Sequence, residues 1–206
     1  SSRGFAKLPV GGRSRYGNSA NPFMGGYNIK SVKLITTNAG KTTESDVVTD
    51  IVETRMRLDL PKALKPAGDK VVIKVDYEYT VPEYGADRTG VLKNADGNIY
   101  AIAQWYPKIC VFDDIQGWNT LPYLGASEFY LEYGNFDVAI TAPANHVVVA
   151  SGDLLNPSEV MTADQLKRYQ QAHQSDATVM IRSRDEVKQA NSRPVKPTLT
   201  WKYQIT

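Results

Sequence analysis

The sequence has little of the chemistry that most enzyme active sites use. Its 206 residues include two histidines, His146 and His173, and a single cysteine, Cys110. One thiol can form neither an internal disulfide nor a cysteine-rich zinc site. A zinc-protease helix needs two histidines four residues apart with a glutamate between them, and no H-E-x-x-H occurs. We therefore predict that this chain binds no catalytic metal or cofactor and holds no catalytic residue. Cys110 is expected to be a packed small side chain.

Other absences narrow the class of protein further. There is no G-x-S-x-G nucleophile motif and no glycine loop of the kind that cradles phosphates. The formal net charge is only +2 and no dense Lys/Arg run occurs, so a nucleic-acid partner is not expected. No apolar stretch reaches the roughly 18 residues that span a bilayer. No signal peptide is recognisable. The chain opens at Ser1 without Met, which we interpret as an excised fragment or a processed chain.

What the sequence does contain favours strands. Hydrophobic residues make up 42% of the chain, and twelve Tyr and three Trp are among them. Such residues are enriched in strands. Strict alternation over residues 71–81 predicts a half-buried antiparallel strand. A looser alternation over residues 48–60 predicts its partner in a long hairpin. Further strands are expected at 27–35, 99–105, 136–142 with a hairpin partner at 146–151, 179–182, and 199–205.

Two short helices interrupt this pattern. Thr162 and Gln165 have the spacing of a capping box, and so have Ser183 and Glu186. In this motif the two side chains satisfy free backbone N–H groups at a helix start. We predict helices near 163–173 and 184–189. The chain is therefore expected to be mainly all-β, with an irregular N-terminal arm at 1–26 and a single domain at 27–206.

Residues 104–138 form the most unusual part of the sequence, and we call them the aromatic segment. Nine aromatic residues are interleaved there with acids, amides and glycines. A covered sheet edge would explain this composition, and so would a surface that meets a ligand or another domain. The residues assigned to that interdomain or ligand surface are Trp105, Tyr106, Asp113, Asp114, Trp118, Tyr123, Glu128 and Tyr130.

This segment carries a resemblance to a known family. The runs A-Q-W-Y-P at 103–107, V-F-D-D at 111–114, G-W-N at 117–119 and E-F-Y-L-E-Y-G-N-F-D-V at 128–138 resemble the N-terminal domains of bacterial aminopeptidase N-like zinc metallopeptidases. The resemblance covers residues 45–206. It is most specific between residues 104 and 154.

The resemblance implies a large, curved, saddle-like β-sandwich of antiparallel strands that is not itself catalytic. Such a domain packs over the catalytic domain of the same protein and walls one side of the active-site cleft. In the family, a Gln or Glu of this domain helps to hold the free α-amino group at the N-terminus of the peptide substrate. Gln104 is the position that matches it. The zinc ligands lie in the next domain, so zinc is expected there and this fragment is expected to be inactive alone. Such proteins are often exported, to the periplasm, the cell envelope or the medium of a bacterium.

Three alternatives stay open at this point. Gln104 could simply hydrogen-bond its own sheet. The chain could be a stand-alone carbohydrate- or protein-binding β-sandwich, in which Trp105, Trp118, Tyr123 and Tyr130 form a stacking platform. An all-β glycosidase would need two carboxylates roughly 5 to 10 Å apart. Acids near the aromatics supply candidates, but surface charge and loop capping are the simpler explanation of them.

Overall fold

A computed structural model describes residues 26–66, 68–83, 89–95, 97–121, 130–189 and 196–206. The predicted N-terminal arm lies outside this range except for Gly26. The elements in chain order are β1 (Asn28–Asn38), β2 (Lys41–Asp46), β3 (Val48–Val52), β4 (Arg55–Asp59), β5 (Val72–Glu78), β6 (Gly90–Asn94), β7 (Gly97–Ala101), β8 (Phe112–Asp113), β9 (Gly117–Trp118), β10 (Phe136–Pro143), β11 (Asp153–Leu154), α1 (Pro157–Val160), α2 (Ala163–Ala172), α3 (Arg184–Lys188) and β12 (Thr198–Ile205).

Strands dominate, and every strand pair in the described residues is antiparallel, which confirms the predicted all-β class. The chain divides into two compact units between Glu132 and Tyr133. We call the N-terminal part unit 1 and the C-terminal part unit 2. The predicted single domain and its saddle-like sandwich stay predictions.

Unit 1 is organised by a three-stranded sheet with the order β2-β1-β5. Ala39 and Gly40 join β1 to β2, and both have positive φ, 48° and 79°. A two-residue turn of this kind matches the twist of the strands that it connects. In β5 the side chains alternate between exposed and half-buried, as predicted from the sequence. The prediction of a strand at 27–35 is likewise confirmed by β1.

The predicted pairing of residues 48–60 with residues 71–81 is wrong. Residues 48–60 form their own hairpin, β3–β4, and β5 pairs with β1 instead. The chain reverses at Glu53 and Thr54, where Glu53 has a φ of 54°. A two-residue turn puts Val52 opposite Arg55. Paired residues share a face, so Val52 lies with Arg55, and Met56 lies on the opposite face with Ile51. The single apolar face expected over residues 48–60 is therefore divided between the two sides of the hairpin.

A second hairpin, β6–β7, pairs Asn94 with Gly97, which begins β7 and has a φ of 130°. The expected buried strand at 99–105 is wrong, because β7 ends at Ala101 and is exposed along its whole length.

Unit 2 is built on the sheet β10-β12-β11. Strand β10 pairs with β12 over eight residues, from Phe136 opposite Ile205 to Pro143 opposite Thr198. The expected hairpin partner at 146–151 and the expected strand at 179–182 do not form. The core lies against β12, whose alternate side chains point inward, and Trp201 is only 1% exposed. Its buried members are Ala144, Val160, Leu199, Trp201 and Tyr203.

A buried asparagine completes one edge of β12. Asn156 donates from Nδ2 to the carbonyl of Thr200 at 2.9 Å, and its Oδ1 accepts from the N–H of Lys202, also at 2.9 Å. Asn156 is 6% exposed. Strand β11 is only two residues long. The side-chain amide of Asn156 therefore supplies to β12 the donor and the acceptor that a longer neighbouring strand would supply from its backbone.

The two predicted helices are confirmed, and both capping boxes are present. Thr162 caps α2, which ends at Ala172, and Ser183 caps α3, which ends at Lys188. Arg168 on α2 pairs with Glu186 on α3 at 2.5 Å. The hydrogen bond from Arg168, followed by that from the Ser183 N–H, lowers the pKa of Glu186 to about 2.

Candidate functional site

Three tyrosines cluster at one end of the unit 1 sheet. Tyr27 precedes β1, Tyr77 lies near the end of β5, and Tyr79 follows that strand. The register that sets Asn28 opposite Glu78 brings these phenols together. The ring centroid of Tyr27 lies 5.0 Å from that of Tyr77 and 5.5 Å from that of Tyr79. Tilted and edge-on contacts at such distances are the favoured geometries of aromatic pairs.

The cluster holds the backbone of the segment that contains Gln104. The hydroxyl of Tyr27 donates to the carbonyl of Gln104 at 2.8 Å, and that of Tyr77 donates to the carbonyl of Trp105 at 2.7 Å. The hydroxyl of Thr89 donates to the carbonyl of Ala103 at 3.0 Å and accepts from its N–H at 3.2 Å. Side chains from three distant positions therefore bind four backbone groups of three consecutive residues.

Gln104 itself has a left-handed backbone, with a φ of 52°. This region costs a non-glycine residue roughly 1–2 kcal/mol, and it persists only where the surroundings enforce it. The Gln104 side chain is exposed. Among the described residues, none hydrogen-bonds its side-chain amide.

The hydroxyl groups of Tyr27 and Tyr77 are both protonated at neutral pH. Burial, helped by the neighbouring Tyr77 and Tyr79, raises the pKa of Tyr27 to about 12. Burial, then the proximity of Tyr79, also raises the pKa of Tyr77. Because a phenol donates only while it is protonated, both hydrogen bonds are available throughout the neutral pH range.

The two residues after Gln104 turn their rings toward each other. Trp105 and Tyr106 are half-buried and meet edge-to-face at 5.2 Å. The ammonium of Lys108 lies 5.4 Å from the centroid of the Tyr106 ring, within the range of a cation–π contact. Trp105 and Tyr106, both predicted surface residues, are therefore partly committed to packing against each other and against Lys108.

Further along, Asp113 and Trp118 belong to the small hairpin β8–β9. The carboxylate of Asp113 accepts from the N–H groups of Ile115 at 3.0 Å and Gln116 at 2.7 Å, which caps the turn. Asp114 is exposed in the same turn. The Trp118 ring is 58% exposed and meets Phe112, its cross-strand partner, edge-to-face at 5.2 Å.

Large apolar side chains are unusually exposed in this part of unit 1. In its described residues only Val32, Val47 and Val111 are buried apolar side chains. By contrast, six described apolar side chains at residues 109–121 and 130 are more than half exposed, and we call them the exposed apolar set. They are Ile109 (68%), Phe112 (61%), Ile115 (87%), Trp118 (58%), Leu121 (67%) and Tyr130 (56%). Exposed apolar side chains also occur elsewhere in the described part of unit 1, for example Val48 (70%) and Leu92 (60%). Exposed apolar surface of this kind is typical of a surface that meets a partner.

The predicted residues are thus divided between two places. Gln104, Trp105 and Tyr106 lie on the segment that the tyrosines hold, whereas Asp113, Asp114 and Trp118 lie on the β8–β9 hairpin. Tyr130 lies beside that hairpin, since its carbonyl accepts from the N–H of Val111. Tyr123 and Glu128 lie outside the described residues.

Sequence reasoning missed Tyr27, Tyr77 and Thr89. For Tyr77 a signal existed, because it stands on the inward face of the alternating strand and its hydroxyl needs a hydrogen-bond partner there. For Tyr27 and Thr89 we find no such signal, since their partners are 77 and 14 residues away.

The scarce metal-binding side chains have local partners. Nδ1 of His146 lies 2.8 Å from Oδ1 of Asn145, and the ring of His173 meets Tyr169 edge-to-face at 4.6 Å. Cys110 is a half-buried free thiol opposite Leu131. Within the described ranges, no three His, Cys, Asp or Glu side chains converge to hold a metal ion. No helix in the described part of the chain is long and apolar enough to cross a membrane.

Comparisons of the chain with protein families, with curated proteins and with solved structures found no match. Any assignment of function therefore rests on the residues themselves and on their geometry.

Proposed function

We propose that this chain is the non-catalytic N-terminal β domain of a zinc-dependent aminopeptidase. In this proposal it walls the substrate cleft, and the side chain of Gln104 accepts a hydrogen bond from the α-ammonium group of the substrate. The catalytic zinc belongs to a further domain of the same protein. The support is the resemblance of residues 45–206 to such domains, together with the conformation of Gln104.

The left-handed backbone of Gln104 is the observation that carries the proposal. Glycine would adopt a φ of 52° without steric cost, yet the chain has a long polar side chain there. The segment is held by three side chains, so the strain is imposed by the fold. Strained non-glycine residues cluster at functional sites. An exposed amide at the end of a fixed backbone is suited to meet a ligand group.

The chemistry of an amide fits this role. Its oxygen can accept a hydrogen bond from an ammonium, and it has no charge of its own to attract unrelated cations. Hydrogen bonds to charged groups contribute about 1.5–3 kcal/mol. Such a bond would select peptides with a free N-terminus and orient them. The zinc ion would polarise the scissile carbonyl and activate water, and this chain would position the substrate.

The exposed apolar set agrees with a domain that is covered in its parent protein. Ile115 and Leu121 are 87% and 67% exposed. Burying apolar area yields about 25 cal/mol per Å². A catalytic domain that covered these residues would remove this surface from water and stabilise the association of the two domains. We therefore assign the exposed apolar set to the interdomain contact.

The test is to replace Gln104 in the full gene product and to measure the hydrolysis of aminoacyl-arylamides. Gln104→Ala is expected to raise KM by roughly 10- to 100-fold, because it removes one charge-assisted hydrogen bond. Gln170→Ala, at an exposed helix position in unit 2, is the matched control and should leave KM unchanged. An unchanged KM in Gln104→Ala would overturn the assigned role.

A carbohydrate-binding module is the second candidate, and the exposure of Trp118 favours it. More than half of this side chain is open to solvent, and indole rings of that kind stack on sugars. Saturable binding of a glycan by the 206-residue chain, lost in Trp118→Ala and kept in Gln104→Ala, would support this candidate over the first.

A further inference from the structure

We propose that Tyr27 and Tyr77 are positioning residues for Gln104, and that their hydroxyl groups fix the left-handed backbone that presents its amide. The inference rests on the proposed function for what Gln104 binds, but the clamp itself is a property of unit 1. We call the two phenols, with Thr89, the tyrosine clamp.

The clamp acts on the two peptide groups that follow the Gln104 Cα atom. Tyr27 holds the carbonyl of Gln104 at 2.8 Å, and Tyr77 holds the carbonyl of Trp105 at 2.7 Å. Thr89 fixes the residue before, because its hydroxyl binds both the N–H and the carbonyl of Ala103. The backbone is therefore held on both sides of Gln104, and its dihedral angles have little freedom.

The clamp is rigid for two reasons. First, Tyr77 lies in β5, which pairs with β1 over seven residue pairs, so its ring is anchored to the sheet. Second, Tyr27 leans on both Tyr77 and Tyr79, which restricts its rotation. A group that binds a ligand must be held within a fraction of an ångström of the right position by well-packed supporting residues. The two tyrosines provide such support for Gln104.

The energetics require such support. The left-handed conformation costs a non-glycine residue about as much as one or two hydrogen bonds contribute. Thr89 binds Ala103 and not Gln104 or Trp105, so the two phenols together must offset this cost, and one alone would barely do so. Removal of either phenol should therefore let Gln104 populate ordinary backbone conformations and spread its amide over several directions.

The direct test is nuclear magnetic resonance of the 206-residue chain. Backbone couplings and carbon shifts of Gln104 report the sign of its φ. We expect the positive-φ signature in the wild type, and its loss or averaging in Tyr27→Phe and Tyr77→Phe. Tyr133→Phe is the matched control, since Tyr133 is fully exposed, and it should leave Gln104 unchanged. Resonances of the paired strands β1 and β5 in unit 1 report that each variant is folded. A retained positive φ in both clamp variants would overturn the inference.

A double-mutant cycle in the full gene product tests the link to substrate. Tyr27→Phe is expected to raise KM roughly fivefold, the effect of one hydrogen bond, with a smaller change in kcat. In a Gln104→Ala background the same substitution should have no further effect, because the clamp acts only through Gln104. Independent, multiplying effects on KM would overturn the positioning role.

The two proposals can fail separately. A full gene product without peptidase turnover would contradict the proposed function, and the resonance data would then decide the clamp alone. Turnover with a KM that responds to Gln104→Ala but not to Tyr27→Phe or Tyr77→Phe would keep the function and reject the clamp.

Discussion

Replacing Gly152 by alanine tests the packing of unit 2 at its tightest point. Gly152 has a φ of 89°, and an added Cβ atom would lie 2.3 Å from the carbonyl oxygen of Gln204 and 2.5 Å from Cγ1 of Ile205. The first contact is with the backbone of β12, the central strand of the sheet, which cannot move without disturbing its partners. We therefore expect both steric strain and overpacking.

The magnitude follows from three contributions. The left-handed backbone costs an alanine about 1–2 kcal/mol, and overpacking costs about 1–3 kcal/mol. The loss of glycine's freedom in the unfolded chain returns about 0.4–1 kcal/mol. Gly152→Ala should lower the free energy of unfolding of unit 2 by roughly 2–4 kcal/mol.

The assay is urea unfolding followed by Trp201 fluorescence, since Trp201 is 1% exposed in the unit 2 core. Trp105→Phe and Trp118→Phe remove the other indole signals. The matched control is Gly134→Ala in the same unit, where a Cβ atom would meet nothing within 4 Å and φ is not positive. It should be neutral or slightly stabilising. A Gly152→Ala protein within about 0.5 kcal/mol of the wild type, or equal losses in both variants, would refute the reasoning.

Two further predictions concern unit 2. Asn156→Ala leaves the Thr200 carbonyl and the Lys202 N–H without their side-chain partner, so it should cost about 2–3 kcal/mol in urea unfolding; an unchanged midpoint would mean that water replaces the amide freely. The second prediction concerns acid. The pKa of Glu186 is lowered from 4.5 to about 2, so its stabilising effect is complete above about 4.5 and is lost as pH falls toward 2. Glu186→Gln should cost about 1 kcal/mol at neutral pH, and the difference from the wild type should vanish across that acid window. A difference that stays constant from neutral pH to pH 2 would contradict the assigned ion pair with Arg168.

The elements that were predicted correctly are those that depend on interactions between residues close together in the sequence. The helices at α2 and α3 begin at capping boxes whose two partners are three residues apart. The alternation that predicted β5 and β12 depends only on neighbouring residues and on which face is buried.

The pairing of strands could not be predicted in the same way. β10 pairs with a strand about sixty residues away, and β5 with β1 across the whole β3–β4 hairpin. Many registers satisfy the same alternation, so the choice is made by packing between distant segments. The reversal at Glu53 and Thr54 shows the difficulty, because each strand of a tight hairpin alternates with a period of two and the sequence pattern alone does not mark where the chain turns.

In the candidate site, too, the residue could be selected from the sequence, whereas its backbone conformation and its hydrogen-bond partners could not. Gln104 could be selected from the aromatic segment by its sequence neighbours. Its positive φ could not, since no glycine marks it. The phenols that hold the segment belong to Tyr27 and Tyr77, which lie 77 and 28 positions from the residues whose carbonyls they bind. The exposure of Phe112 and Trp118 was open to two interpretations in the sequence, and only coordinates distinguish an exposed ring from a packed one.

The central proposal is tested most directly by zinc content and aminopeptidase turnover, measured on the full gene product beside this 206-residue chain. The account predicts about one zinc ion per chain and hydrolysis of aminoacyl-arylamides in the full product, with neither in this chain alone. A full product that binds no zinc and hydrolyses no aminoacyl-arylamide would contradict it.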